Sequence, residues 1–370
     1  METAVPLPAW KRAVLKVGSN LIAPERRRLS TRHLLAIARF IADARAQGRE
    51  IVLVSSGAVA AGRALLGEGE AQGIPAKQAL AALGQPRMLE AWARLFDFPC
   101  AQVLLGYDDL QNRRRFVNAK NTLRELLRLQ ALPIVNENDS VAVDELRLGD
   151  NDNLAAHVAV LVEADLLLIL SDIDGLYDAD PRTRPDARLL PRVAAVDDAV
   201  LALAGGTGSA VGTGGMRTKL EAAQKAGARG IATVVANGRS APALEALSRG
   251  DCPGTLFEPA ASRGGAKDHW MRHALASQGR IVVDAGAARA LRERGASLLP
   301  AGVVAVDGAF RAGDAVEIVE REGAPLAKGI AQYDAGELKR IAGRSSSAIA
   351  AALGYQGPET AVHRDDLVLL

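Results

Sequence analysis

Five consecutive residues, Gly149-Asp150-Asn151-Asp152-Asn153, hold two carboxylates and two carboxamides and run directly into the apolar stretch Leu154-Ala155-Ala156-His157-Val158-Ala159-Val160. The apolar stretch reads as a buried helix, and Asp or Asn at its start can cap the free N–H groups of the first turn. One such residue is enough for capping. Four in succession, preceded by a second polar knot at Asn136-Glu137-Asn138-Asp139-Ser140, supply donors and acceptors suited to a charged ligand.

Cations and flexible backbone stand at three other places. Lys16 interrupts the apolar run Ala13 to Gly18. It reads either as a solvent-facing lysine on an edge strand or as a buried lysine that needs a partner. Gly18-Ser19-Asn20 behind it offers backbone N–H groups where a phosphate could approach. Ala204 to Gly215 contains six glycines in twelve residues and leads into Met216-Arg217-Thr218-Lys219. Glycine-rich backbone feeding a helix start is a generic anion site, although a plain surface loop has the same composition. The Gly-Lys-Ser/Thr ending of a Walker A loop is missing. A third cluster, Ser171-Asp172-Ile173-Asp174-Gly175, resembles a calcium loop, but Leu176 stands where an acceptor would be required.

The elements needed to position these groups alternate. Short apolar runs at 13–18, 51–54, 101–105, 132–135, 165–170 and 231–235 read as buried strands. Between them, 31–46, 58–66, 118–129, the start at Met216 and 241–248 read as helices. Pro75 to Phe96 reads as one long helix that Gly84-Gln85-Pro86 could interrupt, and Val141 to Leu148 as a hairpin folding the first polar knot over the second. Such a pattern predicts a mainly parallel open α/β sheet between helix layers. Ser56, Asn136 and Ser171 each follow a strand, at the end where such sheets bind ligands.

With 370 residues the chain exceeds one hydrophobic core, so two domains are expected. It is 49% hydrophobic and 24% charged, with a net charge of +2, which excludes a chain-wide basic surface for nucleic acid. Two cysteines, Cys100 and Cys252, give no disulfide framework and no zinc spacing. No apolar run approaches the ~20 residues of a membrane span, and Met1 to Ala9 lacks the core of a signal peptide. The expected setting is the cytoplasm.

Texture changes after Phe257. A linker over 259–278 separates a first domain, 1–258, from a second, 279–370, whose short runs at 281–283, 303–306, 315–319 and 329–331 predict a small mostly-β fold. His363-Arg364-Asp365 imitates a protein-kinase triplet, but Leu370 occupies the position of the required asparagine; the triplet reads as packing polarity.

Taken together, Leu15-Lys16-Val17-Gly18-Ser19, Ser55-Ser56-Gly57-Ala58, Asn136-Glu137-Asn138-Asp139, Gly149 to Leu154, Asp174-Gly175-Leu176-Tyr177 and Gly212 to Lys219 resemble the amino acid kinase family. The two polar knots resemble its glutamate 5-kinase branch, which carries a C-terminal PUA domain. The resemblance covers nearly the whole chain. It implies the amino acid kinase fold followed by a PUA domain, and phosphorylation of the γ-carboxylate of L-glutamate by ATP with Mg²⁺ at the start of proline biosynthesis. Lys16 and Lys219 would contact ATP phosphates and the transferring phosphoryl group, with Asp152 holding both lysines. Ser56, Asp139 and Asn151 would bind glutamate, helped by Asn136 and Asp150. Gly18, Ser171 and Asp172, with Thr213, Gly214, Gly215, Met216, Arg217, Thr218 and Lys219, would form the nucleotide side. No protein-held metal is implied. Ser19-Asn20 departs from the commoner Thr-Ser, and Arg217 from a frequently small residue.

The same resemblance implies inhibition by proline, partnership with glutamyl phosphate reductase, and a homo-oligomer, either dimer or tetramer. Two other readings remain at this level. The chain could be a different amino acid kinase, acting on aspartate or acetylglutamate, or an RNA-binding protein acting through its PUA domain; the absence of a basic-aromatic stripe in 279–370 weighs against the second.

Overall fold

A computed structural model describes residues 5–23, 30–66, 73–141, 151–204, 215–259, 277–321, 323 and 325–370, without the side chains of 107, 111, 113 and 114. Asp150, Thr213, Gly214 and the expected hairpin from 142 onward lie outside the described residues. The chain divides into two compact units, residues 1–111 with 119–263, and residues 264–370 with 112–118.

The larger unit is built on an eight-stranded sheet. In spatial order its strands are Cys100–Leu105, Leu132–Glu137, Glu50–Ser55, Arg12–Val17, Leu166–Ser171, Ala232–Asn237, Thr255–Phe257 and Arg192–Val193. The first six run parallel; Thr255–Phe257 is antiparallel to its neighbour. The central parallel strands are mostly apolar because both faces are covered: Leu166–Ser171 is buried at every position, whereas the edge strand Cys100–Leu105 is only partly buried.

Alternation along Arg12–Val17 decides the fate of Lys16. Ala13, Leu15 and Val17 join a core with side chains of Leu34–Ala46, Ala241–Arg249 and the end of Ile74–Ala93. Val14 and Lys16 therefore point to the opposite face, which the helix Asn151–Leu161 covers. Lys16 is buried on a central strand, not exposed on an edge.

Helix Ala58–Leu66 and helix Ile74–Ala93 meet backbone to backbone. A Cβ on Gly84 would lie 1.8 Å from Ala58 O, and one on Gly62 1.9 Å from Leu80 O. The second helix runs without interruption through Pro86. Pro86 forfeits one helical hydrogen bond, and burial of Gln85, Met88 and Trp92 against the sheet and the neighbouring helix offsets that loss. Gly84→Ala is expected to destabilise the protein by about 1–3 kcal/mol through overpacking, read as a lower denaturant midpoint; an unchanged midpoint would mean that the helices separate freely.

The smaller unit contains a five-stranded sheet in the order Val303–Gly308, Gly279–Val283, Ala315–Glu320, Pro325–Ala331 and Val362–Leu369. All neighbours are antiparallel except Gly279–Val283 with Ala315–Glu320. Its core gathers Ile281, Val316, Ile318, Leu338 and Val362 beneath the helices Ala285–Arg294 and Ala335–Ile341. The final strand was not foreseen. It contains His363-Arg364-Asp365, where His363 Nδ1 lies 3.4 Å from Asp365 Oδ2.

Candidate active site

Six parallel strands end on one side of the larger sheet, and the polar residues singled out above collect there. Lys16, Ser55-Ser56, Asn136-Glu137, Ser171-Asp172 and Asn237 stand at or just beyond the carboxyl ends of five adjacent strands. Helix Asn151–Leu161 begins at the same end, and helix Met216–Gly227 contributes its first turn.

Asp152 is the centre of charge. It is wholly buried, with Oδ1 2.6 Å from Lys16 Nζ and Oδ2 3.0 Å from Lys219 Nζ. The Thr218 hydroxyl lies 3.0 Å from the same Oδ2. Burial pushes the carboxyl up, but the two ammonium groups outweigh it and hold Asp152 at about 2, against 3.8 for the free side chain. Both lysines are themselves nearly inaccessible, at 5% and 4% exposed. Two cations share one anion, so the triad keeps an excess positive charge at the mouth of the sheet. A buried charge excess of this kind favours an incoming polyanion.

Beside the triad runs a chain of neutral polar groups. Asn151 Nδ2 donates to Ser56 Oγ at 2.6 Å and to Asn136 Oδ1 at 2.9 Å. Asn136 Nδ2 donates in turn to Gln85 Oε1 at 2.9 Å. Asp139 lies half-buried in the turn that follows the same strand as Asn136. Asn153, the last member of the second knot, faces elsewhere and accepts from Lys225 Nζ at 2.6 Å.

On the neighbouring strand end Ser171 Oγ donates to Asp172 Oδ1 at 3.2 Å, and Asn20 Nδ2 to Asp172 Oδ2 at 3.0 Å. Burial raises the Asp172 carboxyl, while these bonds and the charge of Arg239, 3.8 Å away, bring it below the usual carboxylate range. Gly18 leaves the space above Lys16 open: a Cβ there would sit 3.9 Å from Lys16 Nζ.

The amino acid kinase family model matches residues 11–237, a span that contains every one of these groups except Arg239, two residues beyond it. The chain belongs to the amino acid kinase family. Beyond that span, the PUA domain model matches residues 279–353, so the smaller sheet is that of a PUA domain. Among curated relatives, the glutamate 5-kinase of Salinibacter ruber is 61% identical over 99% of both chains. That of Xanthomonas campestris pv. campestris is 56% identical over 96% of this chain and 100% of its own. A solved UMP kinase from Bacillus anthracis covers 69% of this chain and 98% of its own at 13% identity, with a TM-score of 0.48.

In this amino acid kinase the residues expected on the nucleotide side are spread over two strand ends and one helix start. Lys16, Gly18, Ser171, Asp172, Gly215, Met216, Thr218 and Lys219 occupy the carboxyl end of the sheet. Arg217 turns outward and pairs with Glu221 at 2.9 Å on the helix surface. Its exposed, engaged guanidinium accounts for its tolerance as a departure from a small residue. Three contributors escaped the sequence reading. Asn237 ends a strand and Arg239 lies two residues beyond it, the same signal that marked Ser56 and Ser171. Gln85 lies mid-helix beside a proline, where no local pattern distinguishes it.

Proposed function

We propose that this chain transfers the γ-phosphoryl group of ATP to the γ-carboxylate of L-glutamate, giving L-glutamyl 5-phosphate, the first step of proline biosynthesis. The observation that carries this reading is the buried Lys16–Asp152–Lys219 triad set beside the Ser56–Asn151–Asn136 chain, in a protein 61% identical to a glutamate 5-kinase along its whole length.

The γ-carboxylate is ionised at neutral pH, its reference pKa being about 4.3, so the nucleophile needs no general base. What the site must supply is charge and alignment. Lys16 reaches the ATP phosphates and Lys219 the phosphoryl group in transit, where charge spreads over the equatorial oxygens. Asp152 keeps both ammonium groups directed at the junction. Asp139 takes the substrate ammonium, while Ser56, Asn151 and Asn136, with Asp150, hold the glutamate so that its carboxylate is in line. Gly18, Ser171, Asp172 and the segment Thr213 to Lys219 hold the nucleotide.

Mg²⁺ enters with ATP. This ion keeps several waters and is commonly bound through substrate phosphates, so it fits a site in which the carboxylates of Asp152 and Asp172 are already engaged by lysines and by Asn20. Bound there, it offsets triphosphate charge.

Hydroxylamine trapping with Mg-ATP tests the reading. Hydroxamate should form with glutamate and not with aspartate or N-acetylglutamate; equal yields from the three acids, or none from glutamate, would sink it. Asp139→Ala is expected to raise the glutamate KM by one to two orders of magnitude, since a charge-assisted bond contributes roughly 1.5–3 kcal/mol, with the ATP KM little changed. An unaltered glutamate KM would remove Asp139 from the substrate site.

The same reading includes inhibition by proline, hand-over of the labile acyl phosphate to glutamyl phosphate reductase, a dimer or tetramer, a cytoplasmic setting, and domains spanning 1–258 and 279–370 around a linker at 259–278. Sedimentation and a proline titration of the hydroxamate assay test the oligomer and the inhibition.

A further inference from the structure

Gln85 lies at the inner end of the polar chain and has no role in the reading above. It is 7% exposed, on the helix that Gly84 brings against the backbone of Ala58 and Gly62, and so next to the helix that starts just after Ser56. Two turns further along, the same helix sends Trp92 Nε1 to Ser55 Oγ at 2.7 Å. Two side chains of one helix thus reach the two polar strand ends that flank the site.

Hydrogen-bond accounting gives Gln85 a specific consequence. Its Oε1 accepts from Asn136 Nδ2, which turns Asn136 Oδ1 toward Asn151. Both amide hydrogens of Asn151 are then engaged, one by Asn136 Oδ1 and one by Ser56 Oγ. Among the described residues two groups remain unused: Asn151 Oδ1, an acceptor, and the Ser56 hydroxyl hydrogen, a donor. An acceptor suits an ammonium and a donor suits a carboxylate. Had Gln85 presented its amide hydrogens instead, Asn136 would turn over, Asn151 would accept, and Ser56 would donate inward, leaving the substrate with the opposite pattern.

We propose that Gln85 is a positioning residue that sets the hydrogen-bond polarity of the amino-acid subsite, so that Ser56 donates and Asn151 accepts. The inference rests on the proposed function for the identity of the amino acid. Gln85 Nε2 is buried and has no hydrogen-bond partner among the described residues. Packing alone gives little reason for an amide at this position, because the cost of this unpaired buried donor offsets what Oε1 gains by satisfying the buried Asn136 Nδ2.

That last point makes the two explanations predict opposite rankings. Gln85→Met matches the volume and removes the acceptor; Gln85→Glu keeps an acceptor oxygen facing Asn136 whether or not the carboxyl is protonated. Glutamate affinity is measured by calorimetry and glutamate KM by the hydroxamate assay, with ATP KM and melting temperature as controls on the fold. We expect Gln85→Met to weaken glutamate by about tenfold, equivalent to ~1.4 kcal/mol, at unchanged ATP KM and a melting temperature close to the parent's. Gln85→Glu recovers most of the glutamate affinity even where its melting temperature is lower. Parent-like glutamate affinity in Gln85→Met, or weaker binding in Gln85→Glu than in Gln85→Met, overturns the inference. Should Gln85→Glu fail to fold, the Met variant against the parent still decides it. Failure of the proposed function looks different: the unmodified protein itself would then neither bind glutamate nor yield its hydroxamate.

Discussion

Lys219→Ala should lower kcat by about 10²–10³-fold, the usual effect of removing one preorganised group that stabilises transition-state charge, with a much smaller change in either KM. The expectation follows from where the ammonium is held. Lys219 sits in the first turn of Met216–Gly227, 4% exposed, with Nζ on Asp152 Oδ2. Its position does not depend on bound substrate, so little reorganisation is needed when charge develops on the transferring group. Lys16 remains to neutralise Asp152 in the variant, and the ATP KM should therefore rise by less than kcat falls. Lys219→Arg is expected to rescue poorly, because a planar guanidinium cannot replace a compact ammonium in a closed site. Near-parental kcat in Lys219→Ala, measured by hydroxamate formation at saturating glutamate and Mg-ATP, would exclude Lys219 from the transfer step.

Asp152→Asn should have the second large effect, on stability as well as on rate. The substitution leaves two buried ammonium groups without their shared counter-charge, a loss of roughly 3–5 kcal/mol when a buried pair is broken from one side. ATP, or a non-reactive polyphosphate, should restore part of that stability by supplying negative charge to Lys16 and Lys219. A melting temperature unchanged from the parent, or one no more responsive to polyphosphate, would contradict the charge assignment. The pH dependence has a definite sign. Asp152 is held at about 2 in the folded protein against 3.8 free, so its contribution is complete above the unfolded value and disappears as pH falls from about 4 to about 2. The difference corresponds to about 2 kcal/mol. Acid unfolding of the parent should show this limb, and Asp152→Asn should lack it.

Much of the larger sheet was legible because a parallel strand covered on both faces must be apolar along its length, and each such run ends where glycine or a polar residue begins. Ala58–Leu66 was placed to the residue, and Leu166–Ser171 to within one or two at each end. Boundaries drifted where capping signals were weak: Arg113–Arg128 begins five residues before the expected Asn118, through a stretch of arginines with no apolar period to mark it. The last strand, Val362–Leu369, was hidden for a related reason, since its charged residues His363 to Asp366 broke the alternation.

For the site, residue type and position at strand ends and helix starts singled out Lys16, Ser56, Asn136, Asn151, Asp152 and Lys219, and the family resemblance added Ser171 and Asp172. That much follows from the sequence alone, because polar residues interrupting apolar runs stand out locally. Which of them meet was decided only by tertiary structure. Lys16, Asp152 and Lys219 come from three separate elements, and only the pleat of Arg12–Val17 and the placement of Asn151–Leu161 over that face aim two cations at one carboxylate. Asn153 shows the converse: it belongs to the same polar knot yet turns to Lys225, because neighbours along a helix point in different directions. Gln85 carries no local mark at all. Its burial, and its bond to Asn136 fifty-one positions away, exist because Gly62 and Gly84 let two helix backbones touch, a closeness that no pattern within either helix prescribes.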